Sequence, residues 1–159
     1  MLTVNLICVG SLKERYWRDA CAEYQKRLSA FCKLTIIELP ESRLADNPSP
    51  AEIERALENE GSLILQKAGN SKLLPLCIEG KELPSPELAA LLDELMLSGV
   101  SSLSFIIGSS YGLADSVKNK GIKKLSLSKM TFPHQLARVM LLEQIYRAFM
   151  IRSGGKYHK

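Results

Sequence analysis

Residues 73–108, LLPLCIEGKELPSPELAALLDELMLSGVSSLSFIIG, decide the fold. Leu73–Ile78 is an apolar run of strand length that leads into Glu79-Gly80, a turn signal. Ser85-Pro86 places a capping hydroxyl before a proline, with Glu87 in the first turn, and predicts a helix ending near Gly99. Leu103–Ile107 is a second apolar run, stopped by Gly108. Two short strands joined by a helix form a crossover unit, and crossover units join parallel strands.

The same alternation extends outward. Upstream, Leu2–Val9 ends at Gly10, and Glu14–Ala30 carries Tyr16, Ala20, Tyr24 and Leu28 at helical spacing. Leu34–Leu39 is another strand, followed by a polar loop marked by Pro40, Asp46, Asn47, Pro48 and Pro50. Ser49-Pro50-Ala51-Glu52 has the pattern of a capping box, opening a helix to about Ala68 that Gly69 stops. Downstream, a short helix over Ala114–Lys120 precedes a weak strand around Lys124–Leu127. Pro133 then opens a last helix to about Arg152, before a tail ending Tyr157-His158-Lys159.

This reads as an α/β protein, a single domain over residues 1–159 with a mainly parallel sheet covered by helices on both faces. Ligands of such sheets bind at the carboxyl ends of the strands. The loops to inspect are therefore Ile78–Ser85, Gly108–Leu113 and Leu127–Pro133.

Composition narrows the class. With 46% hydrophobic and 24% charged residues, the chain is neither disordered nor fibrous, and with 6% aromatics its core is mostly aliphatic. The longest uncharged run, between Glu94 and Asp115, is interrupted by serines and glycines and does not read as a membrane span. Met1–Leu12 lacks the basic start and cleavage site of a signal peptide, so a cytoplasmic protein is expected. Cys8, Cys21, Cys32 and Cys77 form no metal-binding spacing and read as free thiols. No metal site is expected around His134 or His158.

Charge is unevenly distributed. Residues 118–159 hold ten Lys/Arg against one acid, Glu143, whereas the first 117 residues carry eleven basic and sixteen acidic side chains. A basic quarter on an acidic body points to a polyanionic partner. Lys118, Lys120, Lys123 and Lys124 fit a solvated face or phosphate contacts equally well. Arg138, Arg147 and Arg152 sit among apolar residues, and arginine suits multi-donor recognition of phosphate or a base edge.

The last helix lacks a clean polar face, which leaves two arrangements: a homodimer packed through this helix, or a central helix buried within one chain. We expect the homodimer. Gly108-Ser109-Ser110-Tyr111-Gly112 is a glycine loop matching neither dinucleotide nor phosphate-loop fingerprints. Leu127–Pro133 is apolar and hydroxyl-bearing, and leads straight to a helix start, where His134 and Arg138 share a face.

The stretch Ser126-Leu127-Ser128-Lys129-Met130-Thr131-Phe132-Pro133-His134-Gln135, continuing through Arg138 and Leu142-Glu143-Gln144-Ile145-Tyr146-Arg147-Ala148-Phe149 to Tyr157-His158-Lys159, closely resembles the RlmH family of small SPOUT-class enzymes. The likeness spans the chain, including Val9-Gly10, Lys13, Tyr16-Trp17 and Tyr24. It implies an α/β fold with a C-terminal trefoil knot, the knot and cofactor loops lying in about residues 73–159. It also implies S-adenosylmethionine as cofactor and methylation of N3 of a pseudouridine in the helix-69 loop of 23S rRNA. The cofactor would meet Leu76, Gly108, Leu127, Ser128, Lys129, Met130, Thr131 and Phe132. The family pattern has a second glycine and often an aspartate where this chain has Ser109 and Cys77.

By the same resemblance the catalytic candidates are Arg147, Tyr157 and His158, with His134 and Arg138 nearby; which of them acts as base stays open. The Ser153-Gly154-Gly155 tail reads as a flexible terminus that, in a dimer, would complete the other subunit's site. Assembled 70S ribosome is the expected substrate. The rival readings are a ribosome-binding protein without enzymatic activity and a flavodoxin-like nucleotide-binding module.

Overall fold

The computed structural model describes residues 1–159 as five strands and five helices in alternation. In chain order these are β1 (Thr3–Val9), α1 (Arg15–Leu28), β2 (Lys33–Leu39), α2 (Pro50–Ala68) and β3 (Lys72–Glu82). They continue with α3 (Ser85–Leu97), β4 (Ser102–Ile107), α4 (Asp115–Lys120), β5 (Leu125–Ser126) and α5 (His134–Arg152). The strands form one parallel sheet in the order β2-β1-β4-β3-β5. The single α/β domain with helices on both faces is therefore as expected.

Strand alternation divides the core in two. Val4, Leu6, Cys8, Leu74, Leu103, Phe105 and Ile107 point to the face covered by α1, α3 and α5. Ile7, Val9, Leu73 and Ile106 point to the other face, where Ile64 and Ala68 of α2 and Val117 of α4 cover them. The central strands are apolar on both faces because both are covered.

Local chemistry sets the helix ends. The Ser49–Glu52 capping box is formed: Ser49 Oγ accepts from the Glu52 amide at 3.2 Å and Glu52 Oε1 from the Ser49 amide at 3.5 Å. The cap expected at Ser85 is not. Pro84 occupies the cap position, and the Ser85 hydroxyl instead donates to Gln144 Oε1 of α5 at 2.6 Å. A tertiary partner has taken the hydroxyl from the backbone.

Strand β3 runs further than its apolar run. Leu76 and Lys81 both pair with Leu125, so residues 77–80 form an irregular excursion between two stretches of ladder. Gly80 makes this possible, since a Cβ there would lie 2.5 Å from the Leu125 backbone.

Helix α5 packs against α1 and α3 within its own chain, burying Leu141, Leu142, Ile145, Ala148 and Phe149. Its remaining apolar residues, among them Val139, Met140, Tyr146 and Met150, are half-buried. No helix is long and apolar enough to cross a membrane. The cysteines are free, with Cys8, Cys21 and Cys32 buried and Cys77 half-buried.

Candidate active site

The carboxyl ends of β4, β3 and β5 lie side by side and open into a cavity of about 710 Å³. Three stretches wall it: Leu76–Glu79 from β3, Ile107–Leu113 after β4, and Ser126–Ala137 up to the first turn of α5. Two of these are loops that the parallel-sheet argument selected, Gly108–Leu113 and Leu127–Pro133; of the third, Ile78–Ser85, only Ile78 and Glu79 reach the cavity, because β3 continues through Lys81 and Glu82. Of the expected cofactor contacts, Leu76, Gly108, Leu127, Ser128, Met130, Thr131 and Phe132 line the cavity. Lys129 lies exposed and outside the lining.

The glycine loop is a tight turn. Gly112 donates its amide to the Ser109 carbonyl at 2.9 Å and adopts φ +92°, a left-handed conformation that favours glycine. Gly108 is required for a second reason, since a Cβ there would collide with the Gly112 carbonyl. On the opposite wall, Ser126 Oγ donates to the Ser128 carbonyl at 2.9 Å, and Ser128 Oγ accepts from the Met130 amide at 3.0 Å. These bonds pin the start of the loop leading to α5.

One ion pair faces the cavity. Lys118 Nζ on α4 lies 2.6 Å from Glu79 Oε1 on the β3 excursion, and both residues line the space. The lysine's hydrogen bond holds the Glu79 carboxyl below its ordinary range, and the same bond raises Lys118. The sequence offered Lys118 as a solvated or phosphate-contacting lysine and Glu79 only as part of a turn; their pairing was not foreseen, because 39 positions separate them.

The catalytic candidates fall into three places. His134 lines the cavity at the start of α5. Arg138, one turn on, is buried and turned away: Nη1 bonds Glu38 Oε2 at 2.6 Å and Nη2 the Gly10 carbonyl at 3.3 Å. Its Nε is buried without a partner.

Arg147, Tyr157 and His158 form the third group. The tail is folded back rather than loose: Gly155 donates to the Met150 carbonyl and Gly154, at φ +74°, to that of Ile151, closing α5 with a Schellman motif. Tyr157 then packs edge-on against Tyr146 at 5.0 Å. Arg147 lies over the Tyr157 ring at 4.7 Å, and Nη1 is 3.2 Å from His158 Nδ1.

Glu143 organises this group, although the sequence offered it only as a lone acid within the Leu142–Phe149 stretch and not as a site residue. It accepts from Arg147 Nη2 at 2.6 Å and from the Tyr157 hydroxyl at 3.1 Å. That arginine contact raises the Arg147 pKa, while burial, followed by the bond to Glu143, raises that of Tyr157. The Glu143–Arg147 spacing of i,i+4 on a helix was the available signal.

The cleft at the strand ends is walled by a glycine turn and a hydroxyl-bearing loop, and the chain that builds it is of the SPOUT methyltransferase class. A family model described as "Predicted SPOUT methyltransferase" matches residues 2–158. The chain is 46% identical over 159 residues to a "Ribosomal RNA large subunit methyltransferase H" of Streptococcus equi subsp. zooepidemicus, covering 99% of this chain and 100% of that one. A namesake from Oenococcus oeni is 44% identical over 160 residues, with both chains fully covered. The chain belongs to the RlmH family.

Solved structures share the fold. A probable methylase family protein from Haemophilus influenzae superposes with TM-score 0.58 at 11% identity, covering 98% of this chain and 70% of that one. A putative methyltransferase from Legionella pneumophila, solved with bound SAM, gives TM-score 0.52 at 14% identity, covering 93% and 66%.

Proposed function

We propose that the protein transfers a methyl group from S-adenosylmethionine to N3 of a pseudouridine in the helix-69 loop of 23S rRNA, acting in the cytoplasm on the assembled 70S ribosome. The observation that carries this reading is the cavity: its volume of about 710 Å³ falls in the range of small-molecule sites. Gly108 lets the Ser109–Gly112 turn close tightly along the cavity wall, where a Cβ would collide with the Gly112 carbonyl. Glu79 offers an acceptor for ribose hydroxyls or an ammonium, and Lys118 a donor for a carboxylate. The namesake relatives and the family model support the reaction class. In this reading the segment after β4 follows the trefoil path of the family.

The cofactor, when bound, supplies a methyl on a sulfonium that needs no further activation. The protein must then align the base and favour loss of its N3 proton. A fixed cation beside the base stabilises the anion that forms, and Arg147, held by Glu143, is suited to this. His134, at the cavity wall, is placed to contact the base. Arg138 acts as a positioning residue that ties α5 to Gly10 and Glu38.

His134 and Arg147 are about 20 Å apart along α5, at 1.5 Å per residue. One chain does not bring both to one reacting atom. A homodimer through the half-buried face of α5 does: a two-fold contact centred near Met140 sets each His134 end toward the partner subunit's Arg147 and tail. A symmetric dimer thus contains two composite sites.

The test is labelled methyl transfer to 70S ribosomes and to free 23S rRNA, both lacking the modification. Incorporation at a single pseudouridine, with ribosomes preferred, is expected. Ribosome binding with neither transfer nor methyl-donor binding would replace this reading with a non-enzymatic ribosome-binding protein, and flavin absorbance in the purified protein with a flavodoxin-like module.

A further inference from the structure

The outer edge of the sheet carries a row of unpaired lysines. β5 is the terminal strand, and residues 121–126 run along β3, with the Ile122 amide donating to the Leu73 carbonyl and the Lys81 amide to that of Lys124. This brings Lys72 and Lys81 of β3 beside Lys120, Lys123 and Lys124, some 40 residues later. Lys72, Lys81, Lys120 and Lys124 are exposed, and none of the five is in an ion pair.

The row is fixed by the fold. A Cβ at Gly121 would lie 2.6 Å from the Pro75 ring, so a glycine is what lets the lysine-bearing segment lie against β3. Gly80 does the same for the other end against Leu125. Of the acids in the two segments, Glu79 is neutralised by Lys118, leaving Glu82 and Asp115. Leu76, Glu79, Lys118 and Ser126 belong to these segments and also line the cavity, so the row leads to its mouth.

We propose that this edge is a track for the phosphodiester backbone of the RNA substrate, delivering the strand to the cavity. The inference rests on the reaction proposed above and adds to it where the nucleic acid runs. Lysines in a row suit this task as point charges that tolerate any sequence.

The test compares wild type with a Lys81→Gln, Lys120→Gln, Lys123→Gln, Lys124→Gln quadruple variant. A control of equal charge carries Lys26→Gln, Lys33→Gln, Arg43→Gln and Arg55→Gln, away from this edge. Binding of a fluorescein-labelled stem-loop RNA is titrated across salt concentrations, with 70S binding, methyl-donor affinity and methyl transfer measured on the same preparations.

The edge variant is expected to bind the RNA on the order of tenfold or more weakly at low salt. Its slope of log binding constant against log salt should be smaller by about 3, while methyl-donor affinity and the control variant stay at wild-type values. Equal RNA affinity and slope in wild type and edge variant would overturn the track. So would weakened binding to ribosomes but not to the RNA, which would assign the edge to ribosomal protein. A wild type without methyl transfer whose RNA binding still depends on the edge would sink the reaction and leave the track standing.

Discussion

Arg147 Nη1 lies 3.2 Å from Nδ1 of His158, eleven positions later, because the chain reverses at Gly154 and lays its last residues along the helix that carries the arginine. With Glu143 beneath and the Tyr157 ring beside it, the guanidinium is held from three sides. A cation so constrained has little reorganisation left to undergo when charge develops near it.

Arg147→Ala should therefore reduce kcat for methyl transfer on the order of 10²- to 10³-fold. Methyl-donor affinity should stay near wild type, since Arg147 is not in the cavity lining. Single-turnover transfer with isothermal titration of the donor separates the two. An equal loss of donor affinity would show that Arg147 serves the cofactor instead.

At Gly108 the expectation is reversed. Gly108→Ala puts a methyl group into the Gly112 carbonyl, a backbone atom that moves only with its whole turn. The conflict should cost about 1–3 kcal/mol of stability and lower donor affinity by more than tenfold. Urea unfolding and donor titration on one preparation test this. Unchanged affinity would mean that the glycine turn is not a cofactor wall.

Every element was legible from short apolar runs and from Gly, Pro and Ser punctuation, because those signals act within a few residues. What was not legible depends on partners far along the chain. The Ser85 hydroxyl is claimed by Gln144, 59 residues away, and the Arg138 guanidinium by Glu38, 100 residues away. The length of β3 follows from Lys81 pairing with Leu125, which no run of apolar residues announces. The cavity loops were found because parallel topology places sites at strand ends. Glu79 was overlooked because its role depends on meeting Lys118.

Arg138→Leu tests whether that residue positions or reacts. Its side chain is 6% exposed and its partner Glu38 is 41% exposed, so the stranded carboxylate can still reach water. The loss should be about 1–3 kcal/mol, from broken charge-assisted bonds rather than from a fully buried charge. A positioning role predicts that Arg138→Lys restores much of the stability and transfer rate. Wild-type stability with abolished transfer in both variants would instead make Arg138 a catalytic residue.

Stability should fall in alkaline solution, and the buried thiols say where. Burial pushes Cys8 to about 12 and Cys32 to about 11, and raises Cys21 as well. In the unfolded chain these thiols ionise near 9, the ordinary value. Between those limits the folded state holds protons that the unfolded state has released, so rising pH favours unfolding. The thiols' contribution is thus fully present below about pH 8 and is lost progressively from pH 9 upward. Urea midpoints from pH 7 to 11 should be flat at first and then decline. A Cys8→Ala, Cys32→Ala variant should start lower, because it leaves small cavities, and decline less steeply over the same range. Parallel declines in the two proteins would assign the alkaline loss to other groups, Tyr157 among them, whose pKa is raised by burial.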